Sequence, residues 1–152
     1  YSSTNMSTQM DGKMNYAEAF AHDTPYEAIF YRWFSDSNSY IINRLSTAGS
    51  GVTGRFHTQQ YEASTGLTQV ESTGTQYAPS NSVPFNTASR HGSTFINGAV
   101  EGTLLTANTT PTSLPNLSST DLSLGYDFMG TIGEFRMWSD DLTDNGIQEA
   151  ST

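Results

Sequence analysis

The 152-residue chain has no cysteine and sets six Lys and Arg against fifteen Asp and Glu, a formal net charge of −9 at pH 7. That length suits one domain with one core, and the missing thiols exclude a disulfide framework, a thiolate metal site and a cysteine nucleophile. The acidic balance, with no cluster of Lys and Arg, excludes a phosphate backbone as partner, and no apolar run is long enough to span a membrane.

Charged residues make up 14% of the chain, against roughly 25% in ordinary globular domains. Ser and Thr supply about a quarter, so the polarity is hydroxylic. Aromatic residues at 12% are too many for a solvated coil, and with helix formers scarce the composition points to β-sheet.

The polar opening reads as an arm or linker over 1–12, joined to one domain over 13–152. It lacks the basic and apolar regions of a signal peptide and begins without Met, which suggests a processed chain or a piece of a longer one. Met14 to His22 reads as a strand. Tyr26 to Phe34 carries bulky groups on both faces and predicts a strand covered on both sides, with a turn at Ser35 to Ser39 and a neighbouring strand from Tyr40 to Leu45.

From Val52 to Tyr61 the period is two, with Phe56 on one face and Arg55, His57 and Gln59 on the other. Gly66 to Glu71 and Thr75 to Ala78 read as short strands, and Pro79 to Pro84 as a loop. Two hairpins follow, one with Arg90-His91-Gly92 at its tip and one turning at Asn97-Gly98. Residues 106–121 read as a long surface loop. Leu122 to Tyr126 and Gly130 to Trp138 are strands, the second with a packing face of Ile132, Phe135 and Trp138. Thr143 or Asp144 could cap a terminal helical turn. Some ten short strands without an amphipathic helix or fixed repeat predict an all-β, antiparallel two-sheet β-sandwich or jelly roll.

Phe95-Ile96-Asn97-Gly98, Leu122-Ser123-Leu124-Gly125, Phe128-Met129-Gly130-Thr131-Ile132-Gly133-Glu134-Phe135-Arg136-Met137-Trp138 and Asp141-Leu142-Thr143-Asp144 together resemble the concanavalin A-like lectin and glucanase superfamily, in particular its laminin-G-like branch. The stretch from Ala88 to Ala99 is also similar to C-terminal domains of tailed-phage virion proteins. The resemblance implies a concanavalin A-like sandwich without implying an activity, because fold and site are separate questions.

A retaining glucanase of that superfamily needs two carboxylates about 5–5.5 Å apart, which one strand supplies at alternate positions. Glu62 and Glu71 lie in different strands, Glu134 is single, and Asp140 and Asp141 are adjacent, so no enzyme is expected. His22, His57 and His91 have no second ligand at zinc spacing, and no nucleophile elbow surrounds any Ser. Arg90 and His91 would meet a ligand or a neighbouring subunit from their hairpin tip.

Several laminin-G-like and lectin domains bind calcium through loop oxygens, and Asp36, Asn38, Asp121, Asp127 and Asp140 stand in predicted loops; Asp121 and Asp127 are the metal candidates. Sugar binding calls for an exposed ring beside side chains that fix hydroxyls, for which Tyr40, Tyr61, Tyr77 and Tyr126 stand with Asn38, Gln59, Gln60 and Asn81. The expectation is a non-enzymatic domain at a bacteriophage virion surface or another extracellular surface. It would decorate the particle or adhere to host glycans, with other virion subunits, a parent chain or a second copy as partners. The alternatives are a carbohydrate-binding module of a secreted protein and a glycosidase of the same superfamily.

Overall fold

Short segments of alternating side chains pack as two antiparallel sheets in the computed structural model, which describes residues 4–16, 27–47 and 53–152. The described residues form β1 (Asn5–Tyr16), β2 (Glu27–Asp36), β3 (Ser39–Ser46), β4 (Phe56–Glu62), β5 (Gly66–Glu71), β6 (Ser80–Gly92), β7 (Ile96–Val100), β8 (Thr103–Leu104), β9 (Leu122–Leu124), β10 (Gly130–Trp138) and α1 (Thr143–Ala150). One sheet runs β10-β1-β6-β7-β8 and the other β5-β4-β3-β2-β9, which is the expected sandwich.

The interior has three zones. Met10, Met14, Phe30, Leu45, Phe56, Phe85 and Val100 form one apolar cluster, and Met6, Tyr31, Trp33, Ile41 and Leu117 form another. Between them the inward positions are polar: Thr8 on β1, Asn43 on β3, Thr58 on β4, and Ser89 and His91 on β6. Ser89 Oγ sits at the hub, 2.9 Å from Thr8 Oγ1, 3.0 Å from the Tyr31 hydroxyl and 3.1 Å from His91 Nε2, and it accepts from Asn43 Nδ2 at 3.0 Å. Thr58 Oγ1 meets the same imidazole nitrogen at 3.2 Å. These bonds join the two sheets, and a buried polar network of this kind fixes their register more strictly than apolar contact does.

A bulge decides which way β2 faces. Its pairing with β3 slips between Ile29 and Tyr31, so Phe30 and Tyr31, neighbours in sequence, are both buried. Beyond the bulge Trp33 points in, while Arg32 and Phe34 turn outward.

Helix α1 covers the outside of the first sheet. Ile147, fully buried, rests on Ala88 and Ala99, which face each other across β6 and β7. The Arg90 guanidinium grips Asp141 through two bonds of 2.7 and 2.6 Å and Asp144 through one of 2.7 Å.

Several expectations change. The polar arm expected over 1–12 is, from Asn5 on, a strand hydrogen-bonded between β10 and β6, because Met6, Thr8 and Met10 alternate inward behind polar neighbours. Of the strand expected from Met14 to His22, Met14 to Tyr16 belong to β1, and residues 17–22 lie outside the described residues. Thr75 to Ala78 is not a strand; the Gln76 and Tyr77 amides bond to Gly54 O instead. The loop expected at Pro79 to Pro84 belongs to β6 from Ser80 on. Pro84 is tolerated there because β7 pairs only with Thr87 to His91, leaving one side of β6 without a ladder at Pro84.

Arg90-His91-Gly92 is strand, and the reversal comes at Ser93 to Phe95. Asn97-Gly98 is no turn either. Both residues are buried in β7, where a Cβ on Gly98 would lie 3.0 Å from the Phe56 ring. The tight turn is Glu101-Gly102, with φ of 49° and 71°, the pair of left-handed residues that a two-residue hairpin requires. At α1 neither Thr143 nor Asp144 caps; the N-cap is Leu142, without a side-chain bond, and Asp144 accepts from Arg90 and Asn97. On β10, Phe135 packs inward, but Ile132 is 38% exposed because β10 is an edge strand.

Candidate functional site

The outside of the second sheet carries three cross-strand rows, set by register. Ile29, Arg44, His57 and Glu71 face one another across β2, β3, β4 and β5. Arg32, Ile42, Gln59 and Gln69 make the second row, and Phe34, Tyr40, Tyr61 and Leu67 the third. Charge, amide and aromatic chemistry are thus sorted into parallel bands. Among the described residues no helix or strand packs over this face, in contrast to the first sheet under α1.

The aromatic row is a continuous platform. Tyr40 stacks on Phe34 with ring centroids 5.7 Å apart and meets Tyr61 edge-on at 5.5 Å. At the β9 side Tyr126 lies under Arg32, whose guanidinium carbon is 3.3 Å from the ring centroid and 5.3 Å from that of Phe34. Ile29, Arg32, Phe34, Ser37, Tyr40, Ile42, Arg44, Gln59, Tyr126 and Asp127 line a groove of about 370 Å³. That size lies at the lower end of small-ligand sites, enough for about one sugar ring.

A hydrogen-bonded web holds the polar bands in place. Gln59 Nε2 and, at 3.4 Å, an Arg44 nitrogen donate to Gln69 Oε1, while Gln69 Nε2 donates to Glu71 at 2.8 Å. Arg55 reaches Glu71 at 3.4 Å. His57 is nearly sealed beneath these side chains. Burial first, then the neighbouring Arg44, lowers its pKa to about 4 against the opposing pull of Glu71, so it stands neutral at pH 7.

The candidates from the sequence divide. Tyr40, Tyr61, Tyr126 and Gln59 come together on this face, and Asn38 stands in the β2–β3 turn, its backbone N–H donating to Asp36 Oδ1 at 2.7 Å. Tyr77 is core, not platform: it is buried, its hydroxyl donates to Glu101 at 2.8 Å, and burial together with that carboxylate pushes its pKa far up. His91 is no hairpin tip but a member of the buried network around Ser89, where burial lowers its pKa to about 3. Arg90 is spent on Asp141 and Asp144 and lies 3.9 Å from the Phe95 ring.

Asp121 and Asp127 belong to no cluster of three acidic or His side chains among the described residues that could hold a metal ion. Asp127 instead borders the groove. Arg32, Phe34 and Arg44 escaped the reading of the sequence. The outward parity of Tyr40, Ile42 and Arg44 was available from the alternation of β3, but the bulge at Phe30 inverts the parity of β2 and hides Arg32 and Phe34.

No family model and no curated protein matches the chain. Solved structures do. The CBM40 of the Ruminococcus gnavus IT-sialidase bound to α2,3 sialyllactose aligns over 99% of this chain and 83% of its own, with 10% identity and a TM-score of 0.69. Domain 4 of AbnA, a GH43 extracellular arabinanase from Geobacillus stearothermophilus in complex with arabinotriose, aligns over 100% and 68%, with 14% identity and a TM-score of 0.66. Galectin-Ib of Xenopus laevis aligns over 88% and 90%, with 10% identity and a TM-score of 0.54. At such identities the likeness is one of fold: the chain is a two-sheet jelly roll of the type found in lectins and carbohydrate-binding modules.

Proposed function

We propose that the chain is a carbohydrate-binding module whose ligand lies on the outer face of the β5-β4-β3-β2-β9 sheet. The observation that carries this reading is the Phe34–Tyr40–Tyr61 platform, uncovered among the described residues, beside a band of fixed amides and guanidinium groups. Apolar ring faces and precisely held polar groups are what a sugar, with its apolar C–H face and hydroxyl rim, needs from a site. The structural likeness to domains described with sialyllactose and with arabinotriose supports the same reading.

Binding is proposed rather than hydrolysis because no strand of this face carries two acids at alternate positions. The bacteriophage surface setting rests on the resemblance of residues 88–99 alone, and the binding function is proposed independently of it. A glycan array tests the function. The chain should give saturable binding to a restricted set of glycans, weakened up to about tenfold in Tyr40→Ala and in Tyr126→Ala, the worth of one lost ring contact. A blank array would overturn it.

A further inference from the structure

Four of the five arginines have polar side-chain partners: Arg44 has Gln69, Arg55 has Glu71, Arg90 has Asp141 and Asp144, and Arg136 has Glu134 at 2.6 Å. Arg32 has none among the described residues. Its guanidinium is held by stacking alone, against Tyr126 and beside Phe34, and its Nε is buried without a hydrogen-bond partner. A guanidinium in this position keeps its forked donors uncommitted. Stacking fixes the plane of the fork without using its N–H groups, which is the arrangement that recognises a planar oxyanion through paired bonds.

The charge around it agrees. Arg32, Arg44 and Arg55 are half of the six cations in a chain of net charge −9, and they stand on one face, two of them lining one groove. Glu71 is engaged by Arg55 and Gln69. The acid that borders the groove, Asp127, makes no ion pair with Arg32. The unpaired positive charge is therefore local and faces the aromatic platform.

We propose that the groove selects sugars bearing a carboxylate, which pairs with Arg32 while the ring of the sugar lies against Tyr40 and Tyr126. This proposal rests on the carbohydrate-binding reading and narrows it to acidic glycans. The net charge of the molecule repels anions at distance while Arg32 attracts at contact, so added salt acts on both terms and cannot separate them. Chemical matching of ligands can.

The test is calorimetric titration of the whole chain with two acid and neutral pairs: 3′-sialyllactose against lactose, and a glucuronate-ended disaccharide against its glucose-ended counterpart. At least one acid should bind on the order of tenfold more tightly than its neutral partner, and methyl esterification of that acid should remove the advantage. Arg32→Gln should bring the acid down to the affinity of its neutral partner, and Arg32→Lys should keep part of the preference. The ester experiment uses the unaltered protein, so it holds even if Arg32→Gln folds poorly. Equal affinity for acid and neutral partners, with binding of both, would overturn the acid selectivity and leave the carbohydrate reading standing. No binding of any array glycan would overturn both.

Discussion

His91 and His57 show how position rewrites a side chain. Both looked like polar groups at the surface, yet burial keeps both neutral, with pKa values lowered to about 3 and about 4 from the ordinary 6.5. The sign of the consequence follows. Below pH 6.5 the unfolded chain takes up protons that the fold refuses, so stability falls as pH drops, until about 4 for His57 and about 3 for His91, and then levels. Near pH 5 each histidine should contribute a slope of about 1.4 kcal/mol per pH unit. Urea midpoints measured between pH 4.5 and 7 for the parent, His57→Gln and His91→Gln check this: each variant should lose about one such increment of slope. Slopes unchanged in both variants would mean that the imidazoles titrate freely. Nothing local in Ser89-Arg90-His91 told which of these residues would be buried. Parity along β6 decides it, and β6 runs on through the residues expected to form a hairpin tip.

At the scale of elements, signals carried by adjacent residues were legible and those set by distant partners were not. The β2–β3 turn was readable because Asp36 and Asn38 close it between themselves. Asn97-Gly98 carries the same kind of local signal and misleads, because Gly98 is required by Phe56 across the sandwich and not by a turn. β1 was hidden for a related reason: its inward face, Met6, Thr8, Met10 and Met14, includes a hydroxyl whose partners are Tyr31 and Ser89 on other strands. Helix α1 likewise depends on distant contacts, through Ile147 on Ala88 and Ala99 and through Arg90 on Asp141 and Asp144. Ile147→Ala should therefore cost about 3 kcal/mol and release α1. Amide exchange across residues 143–150 should quicken while β3 and β4 keep their protection. Unchanged exchange in α1 would contradict the docking role assigned to Ile147.

For the molecule as a whole, the two outer faces divide the work. One is covered by α1, and the other, open among the described residues, is furnished with rings, amides and guanidinium groups. The sequence showed the sandwich and the right kinds of residue for a sugar, including Tyr40, Tyr61, Tyr126 and Gln59. It could not show that these share one face with Arg32 and Phe34, because a single bulged residue, Phe30, shifts the phase of β2. Selectivity for acidic sugars would be a property of that assembled face and not of any one motif. The most direct measurement is a titration of isotope-labelled protein with the strongest glycan of the array, followed by NMR chemical shifts. The account predicts saturable shifts centred on Arg32, Phe34, Tyr40, Arg44, Gln59 and Tyr126. Shifts centred instead on the 93–95 turn, on the 106–121 loop or on α1 would contradict it.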